Sequence, residues 1–276
     1  MKVHIVSAFT RTSGGGNPAG VVLDASNLTA AQMQLIAHTV GASETAFVLP
    51  SESMDYNFRY FTPTQEIALC GHATIASWVL LTQQNSGIAG IYKIKTLAGQ
   101  IGIEVDNDGK VFMEQPEQAF KKLVSKAEVT EVIGVKDTEI FDNLPLQIVN
   151  NQLLVPMTST EALNNLAPDK KSLVKTSSKH DFFGFHCFVL SKNDILAEVR
   201  NFCPRVGIYE DAATGTAAGS FLEYLRHYEA LPRRDVYRIS QGKAMGRPSE
   251  IYGKFKNGRC WIGGYAVVQR ELSIDL

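Results

Sequence analysis

Apolar residues along the chain follow two patterns: short alternating runs typical of half-buried strands, and one long run that suits a buried helix. Across residues 73–81 only Thr74 and Ser77 carry polar side chains, and a helix that is apolar nearly all round belongs inside a core. Gly71 and His72 precede this run, so the unpaired N–H groups of the helix start would face a polar region. The pattern predicts a central helix whose start can bind an anion.

Alternating runs predict strands along much of the remaining chain, separated by turns rich in glycine, proline and asparagine. The predicted strands cover residues 3–9, 21–23, 43–49, 54–61, 91–105, 111–114, 146–149, 153–157, 185–190, 236–240, 249–252 and 260–268. Helical spacing predicts a helix that ends at Gly41 and shorter helices near 129–133 and 161–166. Hairpin turns at 106–109 and 257–258 favour antiparallel neighbours. The predicted fold class is therefore α+β with mixed, mostly antiparallel sheets.

The glycine-started helix has a counterpart in the second half of the chain. The segment 211–225 runs from a loop into an apolar stretch, and its Gly215 matches Gly71 at an offset of 144 residues (215 − 71). The glycines that follow the first helix correspond to glycines that follow the second helix at nearly the same offset along the chain. This repeat predicts two similar domains, each a sheet wrapped around its own central helix, and a ligand site where the two helix starts could meet.

Composition is that of an ordinary globular protein. The chain has 276 residues, of which 45% are hydrophobic and 20% charged, and this length suffices for two domains. From Pro116 onward the sequence becomes more polar and less periodic. We therefore expect an N-terminal domain of residues 1–115, completed by a C-terminal strand at about 265–276, and a C-terminal domain of residues 116–264.

Charge and cysteine content argue against several classes of protein. The 27 Lys and Arg residues balance 28 Asp and Glu residues, so no basic surplus favours nucleic acid as a partner. The four cysteines form no C-x-x-C pair, which argues against a zinc site or a disulfide framework and fits a reducing compartment. No signal peptide or membrane-spanning apolar run is evident. We expect a cytoplasmic protein with no metal, no nucleic acid and no membrane partner.

Glu44 is the strongest candidate for proton transfer. Strand alternation places it on one face with Ala46 and Val48, which predicts a part-buried carboxylate whose protonated form is favoured. A strand-end glutamate in water is the commoner alternative, and Glu66 competes for the role from a polar loop. His72 could donate to a ligand or shuttle a proton, although a lone histidine is more often a structural group.

Polar groups near the second helix start complete the candidate set. Asp211 could cap the helix or position a substrate amine. Gly71, Gly215 and the hydroxyl-bearing Thr216 could together bind a small carboxylate, although ordinary helix starts would look the same. Cys70 follows an apolar residue and is expected to be a small core residue rather than a nucleophile.

Several motifs together resemble the PhzF-like family of phenazine-biosynthesis isomerases, which shares its fold with the diaminopimelate epimerases. The motifs are Gly16-Asn-Pro-Ala-Gly20, Ser43-Glu-Thr-Ala-Phe47, Arg59-Tyr-Phe-Thr-Pro63 with Glu66, Cys70-Gly-His-Ala-Thr74, Glu210-Asp-Ala-Ala-Thr-Gly215 and Gln241-Gly242. The resemblance covers nearly the whole chain. It implies two similar domains, each a barrel-like sheet wrapped around a central helix, with the active site in the cleft between them. It also implies an isomerase that shifts a proton on a small carboxylate without a cofactor, and a homodimer.

The resemblance also implies roles for individual residues. Glu44 would be the general acid/base, with His72 and Asp211 assisting at the substrate. The substrate-binding residues would be Asn17, Gly71, Gly215, Thr216, Gln241 and Gly242.

Ala212 is the main departure from these families. It stands where the isomerases usually have proline, and where the epimerases need their second cysteine. Cys70 alone cannot run a racemisation that uses two thiols. We therefore expect a proton-shifting isomerase, with a non-catalytic small-carboxylate-binding protein or an amino-acid epimerase or racemase as alternatives.

Overall fold

The computed structural model describes residues 1–84, 89–191 and 193–275. The part of the chain up to residue 115 contains β1 (Lys2–Ala8), β2 (Asn17–Val22), α1 (Ala30–Val40), β3 (Thr45–Leu49), β4 (Tyr56–Phe61), β5 (Glu66–Ile67), α2 (Gly71–Gln84), β6 (Gly90–Thr96), β7 (Gly99–Val105) and β8 (Val111–Glu114). The next contains β9 (Phe120–Leu123), α3 (Lys126–Ile133), β10 (Gln147–Val149), β11 (Gln152–Pro156), α4 (Thr160–Asn164), α5 (Lys170–His180), β12 (Gly184–Leu190), β13 (Ile195–Cys203), β14 (Ile208–Asp211), α6 (Gly215–His227), β15 (Tyr237–Gln241) and β16 (Ser249–Lys256). The last strands are β17 (Arg259–Gly264) and β18 (Ala266–Ser273).

Backbone contacts divide the chain into two compact units. The first unit comprises Met1–Gln115 and Trp261–Leu276, and the second comprises Pro116–Cys260. The first is therefore assembled from two separate stretches of chain. The two domains expected from the sequence, 1–115 with about 265–276 and 116–264, stay a prediction.

The first unit is a mixed sheet that packs against α2. Antiparallel pairs join β18 to β1, β1 to β2, β3 to β4, β4 to β5, β6 to β7, β7 to β8 and β8 to β17. Parallel pairs join β2 to β3 and β4 to β6. Every residue of α2 from Ala73 to Leu81 is buried, and the helix packs against β1, β2, β3, β8 and β18. This confirms the buried helix that the apolar run predicts.

The second unit repeats the same order of strand pairing. Antiparallel pairs join β9 to β10, β10 to β11, β12 to β13, β13 to β14 and β15 to β16, and parallel pairs join β11 to β12 and β13 to β15. Its helix α6 packs against β10, β11, β12 and β16. A helix that begins at a glycine is thus the central helix of each unit. The predicted α+β class with mostly antiparallel sheets is confirmed.

The ends of α1 show how local sequence sets element bounds. The Thr29 side chain accepts a hydrogen bond from the Gln32 backbone N–H, and the Gln32 side chain accepts one from the Thr29 backbone N–H, which is a capping box. Gly41 ends the helix in the left-handed conformation that glycine adopts without strain.

Several elements differ from the sequence-based expectation. The strand β2 begins at Asn17, inside a stretch expected to be loop, while β5, β9, β13, β14 and α5 were not predicted. The stretches 91–105 and 260–268, each expected to be one strand, are divided into β6 and β7 and into β17 and β18. Strand β13 carries Glu198 and Arg200 among its apolar residues, and α5 buries only Leu173, Thr176 and Ser177. Both lack the strong apolar periodicity that would identify them, because ion pairs and small polar contacts replace part of the apolar packing.

A buried histidine in β12 gives the fold a predicted acid sensitivity. Burial lowers the pKa of His186 to about 4, and contact with Asn201 offsets part of this effect. The unfolded chain has the ordinary value near 6.5 and so binds the proton first as the pH falls. We expect this residue to cost about 2–4 kcal/mol of unfolding free energy between pH 7 and pH 4.

Urea unfolding at both pH values, compared with His186→Phe, measures this contribution. Phenylalanine keeps a ring of similar size beside Phe221, whose ring centroid lies 5.6 Å from that of His186. The variant should lose less stability on acidification than the parent protein. An equal loss in both proteins would show that His186 does not carry the effect.

Candidate active site

Glu44 lies directly before β3, where the sheet holds its backbone and leaves its side chain half-buried. Its carbonyl accepts a hydrogen bond of 3.0 Å from the Gly20 amide on the neighbouring strand. The next residues, including Ala46 and Val48, are buried in the sheet. The side chain of Glu44 is 18% exposed, so the carboxylate lies at an edge of the core and not in bulk water.

His72 and Cys70 lie beside this carboxylate. Nε2 of His72 is 3.2 Å from Oε2 of Glu44, and the imidazole is 12% exposed. Sγ of Cys70 is 3.4 Å from Nδ1 of His72 and 3.9 Å from Nε2. We refer to Glu44, Cys70 and His72 as the Glu44 cluster. It places a carboxylate, an imidazole and a thiol at the start of α2.

The charges within the cluster determine its protonation. Burial acts to raise the pKa of Glu44, but the close contact and charge of His72, together with Ser43, outweigh it and leave the pKa below its ordinary value. Burial acts to lower the pKa of His72, but Cys70 and Glu44 raise it well above the ordinary value. Burial does favour the protonated form of Glu44, as expected, but the expected net result is wrong, because the adjacent imidazole outweighs burial and stabilises the carboxylate. These two pKa directions favour a carboxylate beside an imidazolium.

Hydrogen bonds from neighbouring elements fix the start of α2. The hydroxyl of Thr74 donates to the Cys70 carbonyl at 2.7 Å, and the Tyr60 hydroxyl lies 2.6 Å from the same Thr74 oxygen. Upstream, Arg59 makes two parallel hydrogen bonds of 2.7 Å to the carboxylate of Glu66. Glu66, the competing acid/base candidate, is thus held by an arginine.

In the second unit, a compact hydrogen-bond network surrounds Asp211. The hydroxyl of Thr214 donates to Oδ2 of Asp211 at 2.6 Å and accepts from the Asn201 amide at 3.0 Å. The Gln241 amide donates to the Asp211 carbonyl at 2.7 Å and accepts from the Thr214 backbone N–H at 3.1 Å. Asp211 is therefore held in one orientation by the loop that leads into α6.

Gly242 allows this loop to pack closely. Its φ of +79° is in the left-handed region, and a Cβ there would lie 2.6 Å from the Ala212 carbonyl oxygen and 2.3 Å from that of Arg247. Only glycine fits without a backbone shift. The geometry gives Gly242 and the buried Gln241 a role in supporting the Asp211 loop, while substrate contact by either stays a prediction.

The arginine–glutamate pair of the first unit recurs in the second. Arg200 on β13 makes two hydrogen bonds of 2.8 Å to the carboxylate of Glu210. Glu66 and Glu210 each precede the glycine that begins the central helix by five residues. Each unit thus holds the approach to its central helix with a bidentate ion pair.

The remaining predicted residues lie at element ends. Gly71 and Gly215 begin α2 and α6, Thr216 is exposed in the first turn of α6, and Asn17 is the buried first residue of β2. The first unit brings Glu44 and His72 together, and the second brings Asp211, Gln241 and Gly242 together. That a single substrate meets both groups stays a prediction.

Sequence reasoning missed three contributors. Cys70 is buried as expected, yet it also contacts His72, and its position two residues before that histidine was the available signal. Thr214 and Asn201, which hold Asp211, gave no comparable signal. Thr214 lies 3 residues after Asp211 and 13 residues after Asn201 along the chain, and no periodicity connects these positions.

Comparison with known proteins identifies the family. The family model for PhzC-PhzF, described as phenazine biosynthesis-like protein, matches residues 6–271. The chain belongs to this family. The resemblance drawn from the sequence motifs is thereby confirmed, and this PhzC-PhzF protein is an isomerase, as its named relatives are.

Curated relatives cover most of the chain. The uncharacterized isomerase YddE of Escherichia coli strain K12 is 36% identical over 263 residues, which are 91% of this chain and 88% of that protein. The trans-2,3-dihydro-3-hydroxyanthranilate isomerase of Pseudomonas fluorescens is 33% identical over 258 residues, again 91% of this chain and 88% of the relative.

Solved structures agree with the fold. The PhzF-family phenazine biosynthesis protein of Bacillus anthracis superposes with a TM-score of 0.89 at 29% identity, covering 100% of this chain and 99% of that one. A hydroxyproline epimerase from Agrobacterium vitis has a TM-score of 0.62 at 11% identity, covering 99% and 91%, and shares the fold. Within the described residues, no helix has the length and apolar character needed to cross a membrane.

Proposed function

We propose that this PhzC-PhzF protein is a cofactor-independent isomerase that moves a proton between two carbon atoms of a small carboxylate. The observation that carries the proposal is the pair formed by Glu44 and His72, with Nε2 and Oε2 3.2 Å apart. An ionised, largely buried carboxylate at the start of a buried helix is suited to remove a proton from carbon. Its neighbouring imidazolium can supply a proton or stabilise negative charge.

The chemistry balances within one substrate molecule. Glu44 takes a proton from a carbon next to a conjugated unsaturated system, and the electron pair of the broken C–H bond enters that system. The proton returns to a different carbon, where the electron pair forms the new C–H bond. No atom is gained or lost, so the step needs neither oxidant nor cofactor. Proton transfer by a positioned group commonly contributes about 10²–10⁴-fold to the rate.

The other candidate residues are assigned to substrate binding. We propose that the backbone N–H groups near Gly71 and Gly215, with the Thr216 hydroxyl, bind the substrate carboxylate. We assign Asp211 to the substrate amine or hydroxyl, because its carboxylate is held in one orientation by Thr214. Asn17, Gln241 and Gly242 complete the proposed binding set.

The substrate class follows from a relative. The Pseudomonas fluorescens protein is named for isomerising trans-2,3-dihydro-3-hydroxyanthranilate, which is a small, unsaturated amino carboxylate. We propose that this protein acts on a compound of the same class. We also propose a cytoplasmic homodimer, and light scattering after size-exclusion chromatography would test its oligomeric state.

Epimerisation by two thiols is the less favoured function. The position that would carry the second thiol is Ala212, which is buried and 2% exposed. Cys70 is next to His72, but a two-thiol mechanism needs a second sulfur on the opposite face of the reacting carbon. A non-catalytic binding protein would have no use for the Glu44–His72 pair.

Isomerisation in deuterated water tests the proposed function. We expect the purified protein, treated with EDTA, to convert trans-2,3-dihydro-3-hydroxyanthranilate or a related unsaturated carboxylate. Proton NMR should show the double bond moved, with deuterium at the new C–H position or internal transfer of the original proton. Chelator should not lower the rate. Binding of these compounds without any change in their spectra would instead identify a carboxylate-binding protein.

A further inference from the structure

We infer that the Glu44 cluster is an inhibitory binding site for a thiophilic divalent cation, with Zn²⁺ as the reference ion. One donor atom from each of the three residues, namely a carboxylate oxygen, the Cys70 sulfur and an imidazole nitrogen, lies within 4.8 Å of the others. Nε2 of His72 is 3.2 Å from Oε2 of Glu44 and 3.9 Å from Sγ of Cys70. Zinc bonds of ordinary length at tetrahedral angles separate donors by about 3.3–3.6 Å. Small side-chain adjustments would therefore place all three donors on one ion.

The chemistry of the donors favours zinc over harder cations. Thiolate, imidazole and carboxylate are the three ligand types that zinc uses in proteins, and three protein ligands leave a fourth position for water. A sulfur donor selects against Mg²⁺ and Ca²⁺, which prefer oxygen. Among the described residues, no other set of three or more His, Cys, Asp or Glu groups is arranged in this way.

The surroundings of the cluster hold the donors in place. Oε2 of Glu44 is a buried atom that receives no well-directed hydrogen bond from the described residues. Such an atom in a folded protein calls for an explanation, and a bound ion is one. The Thr74 hydroxyl fixes the backbone of Cys70 at 2.7 Å, and the thiol is 7% exposed. The site is therefore largely formed before the ion arrives.

Sequence spacing does not reveal this site, because its ligands do not follow the usual pattern of zinc motifs. Zinc motifs are recognised by cysteine and histidine pairs two to five residues apart, repeated along the chain. Here Cys70 and His72 form one close pair, and the third ligand, Glu44, comes from a separate strand. The expectation of no metal rested on the missing C-x-x-C pair alone.

Occupation of this site would stop the proposed reaction. An ion on Oε2 of Glu44 and Nε2 of His72 removes the base and its partner together, so inhibition should be reversible by chelator and opposed by substrate. This consequence rests on the proposed function, whereas binding of the ion does not. The two can therefore be tested separately.

Cobalt titration provides the test, because a Co²⁺–thiolate bond has a charge-transfer absorption band that needs no enzyme activity. We expect one equivalent of Co²⁺ to produce this band and Zn²⁺ to abolish it by displacement. Cys70→Ser should remove the band and weaken Zn²⁺ binding, measured by calorimetry, by more than the roughly 10–100-fold typical of losing an outer-shell partner. Glu44→Gln keeps the sulfur, so it should retain the band with weakened affinity.

His180→Gln is the matched control. Nε2 of His180 lies 2.9 Å from Oε1 of Glu128, and the two side chains are 12% and 24% exposed, much like the Glu44–His72 pair but without a sulfur. Zinc binding should be unchanged in this variant. Absence of the band in the parent protein, its persistence in Cys70→Ser, or an equal loss of binding in His180→Gln would overturn the inference. If the band behaves as expected but no carboxylate is isomerised, the metal site stands and the proposed function fails.

Discussion

Replacing Glu44 with glutamine will lower the turnover of the isomerisation by about 10²–10⁴-fold, the usual contribution of a positioned acid/base. Glutamine keeps the size of the side chain but cannot take up a proton at neutral pH. The substrate carboxylate is bound by other groups, so its dissociation constant should change little. Steady-state kinetics with the compound identified in deuterated water, combined with calorimetric binding, measures the two quantities separately.

The pH profile distinguishes loss of the base from a general structural effect. In the parent protein the rate should fall at low pH as Glu44 takes up a proton, at a pKa below the ordinary value for glutamate because His72 stabilises the carboxylate. Any residual activity of Glu44→Gln should lack this acid limb. Glu128→Gln, which alters the other carboxylate–imidazole pair, should leave both rate and profile unchanged. Near-normal turnover in Glu44→Gln would remove Glu44 from the mechanism.

Replacing Arg200 with methionine will lower the unfolding free energy by about 3–5 kcal/mol, the range for breaking a buried ion pair from one side. Arg200 and Glu210 have side chains 10% and 8% exposed, so the variant leaves a carboxylate in the core without its partner. The same guanidinium donates to the carbonyls of Leu163, Asn164 and Leu166. Those carbonyls lie at and after the end of α4 and would also lose their donor.

Two comparisons make this result specific. Arg59→Met breaks the matching pair in the first unit, but Arg59 and Glu66 are 26% and 25% exposed, so water can solvate the remaining charge and the loss should be smaller. The double variant Arg200→Met with Glu210→Leu removes the stranded charge and should recover part of the stability. Urea unfolding measures all of these. A single-variant loss below about 1 kcal/mol, or no recovery in the double variant, would contradict the assignment.

The parts of the fold that sequence alone predicts are those with strong periodicity. The run 73–81 identified α2, and the glycine match between Gly71 and Gly215 indicated a repeated unit. Strand β13 was not predicted because Arg200 interrupts its apolar pattern. The charge of Arg200 is tolerated in this strand because Glu210 and the carbonyls near α4 surround the guanidinium. Those contacts come from other parts of the chain.

The candidate site was likewise predicted only in part from the sequence. Motif order pointed to Glu44, His72 and Asp211, and the structure shows which groups each of them contacts. The protonation of Glu44 was mispredicted because its pKa depends on a histidine 28 residues further along the chain (72 − 44). Strand alternation reports burial but does not identify such a partner.

The divided first unit has a consequence for the order in which the protein folds during synthesis. Strand β1 pairs along its whole length with β18, from Lys2 opposite Ser273 to Ala8 opposite Ala266. The ribosome therefore makes β1 long before its partner β18. The second unit, which is continuous along the chain, is complete at Cys260 while this edge of β1 still lacks its partner. Chains usually fold from the N-terminal domain onward. Here the unit that is begun first is finished last, and its open edge is exposed to other nascent chains in the interval.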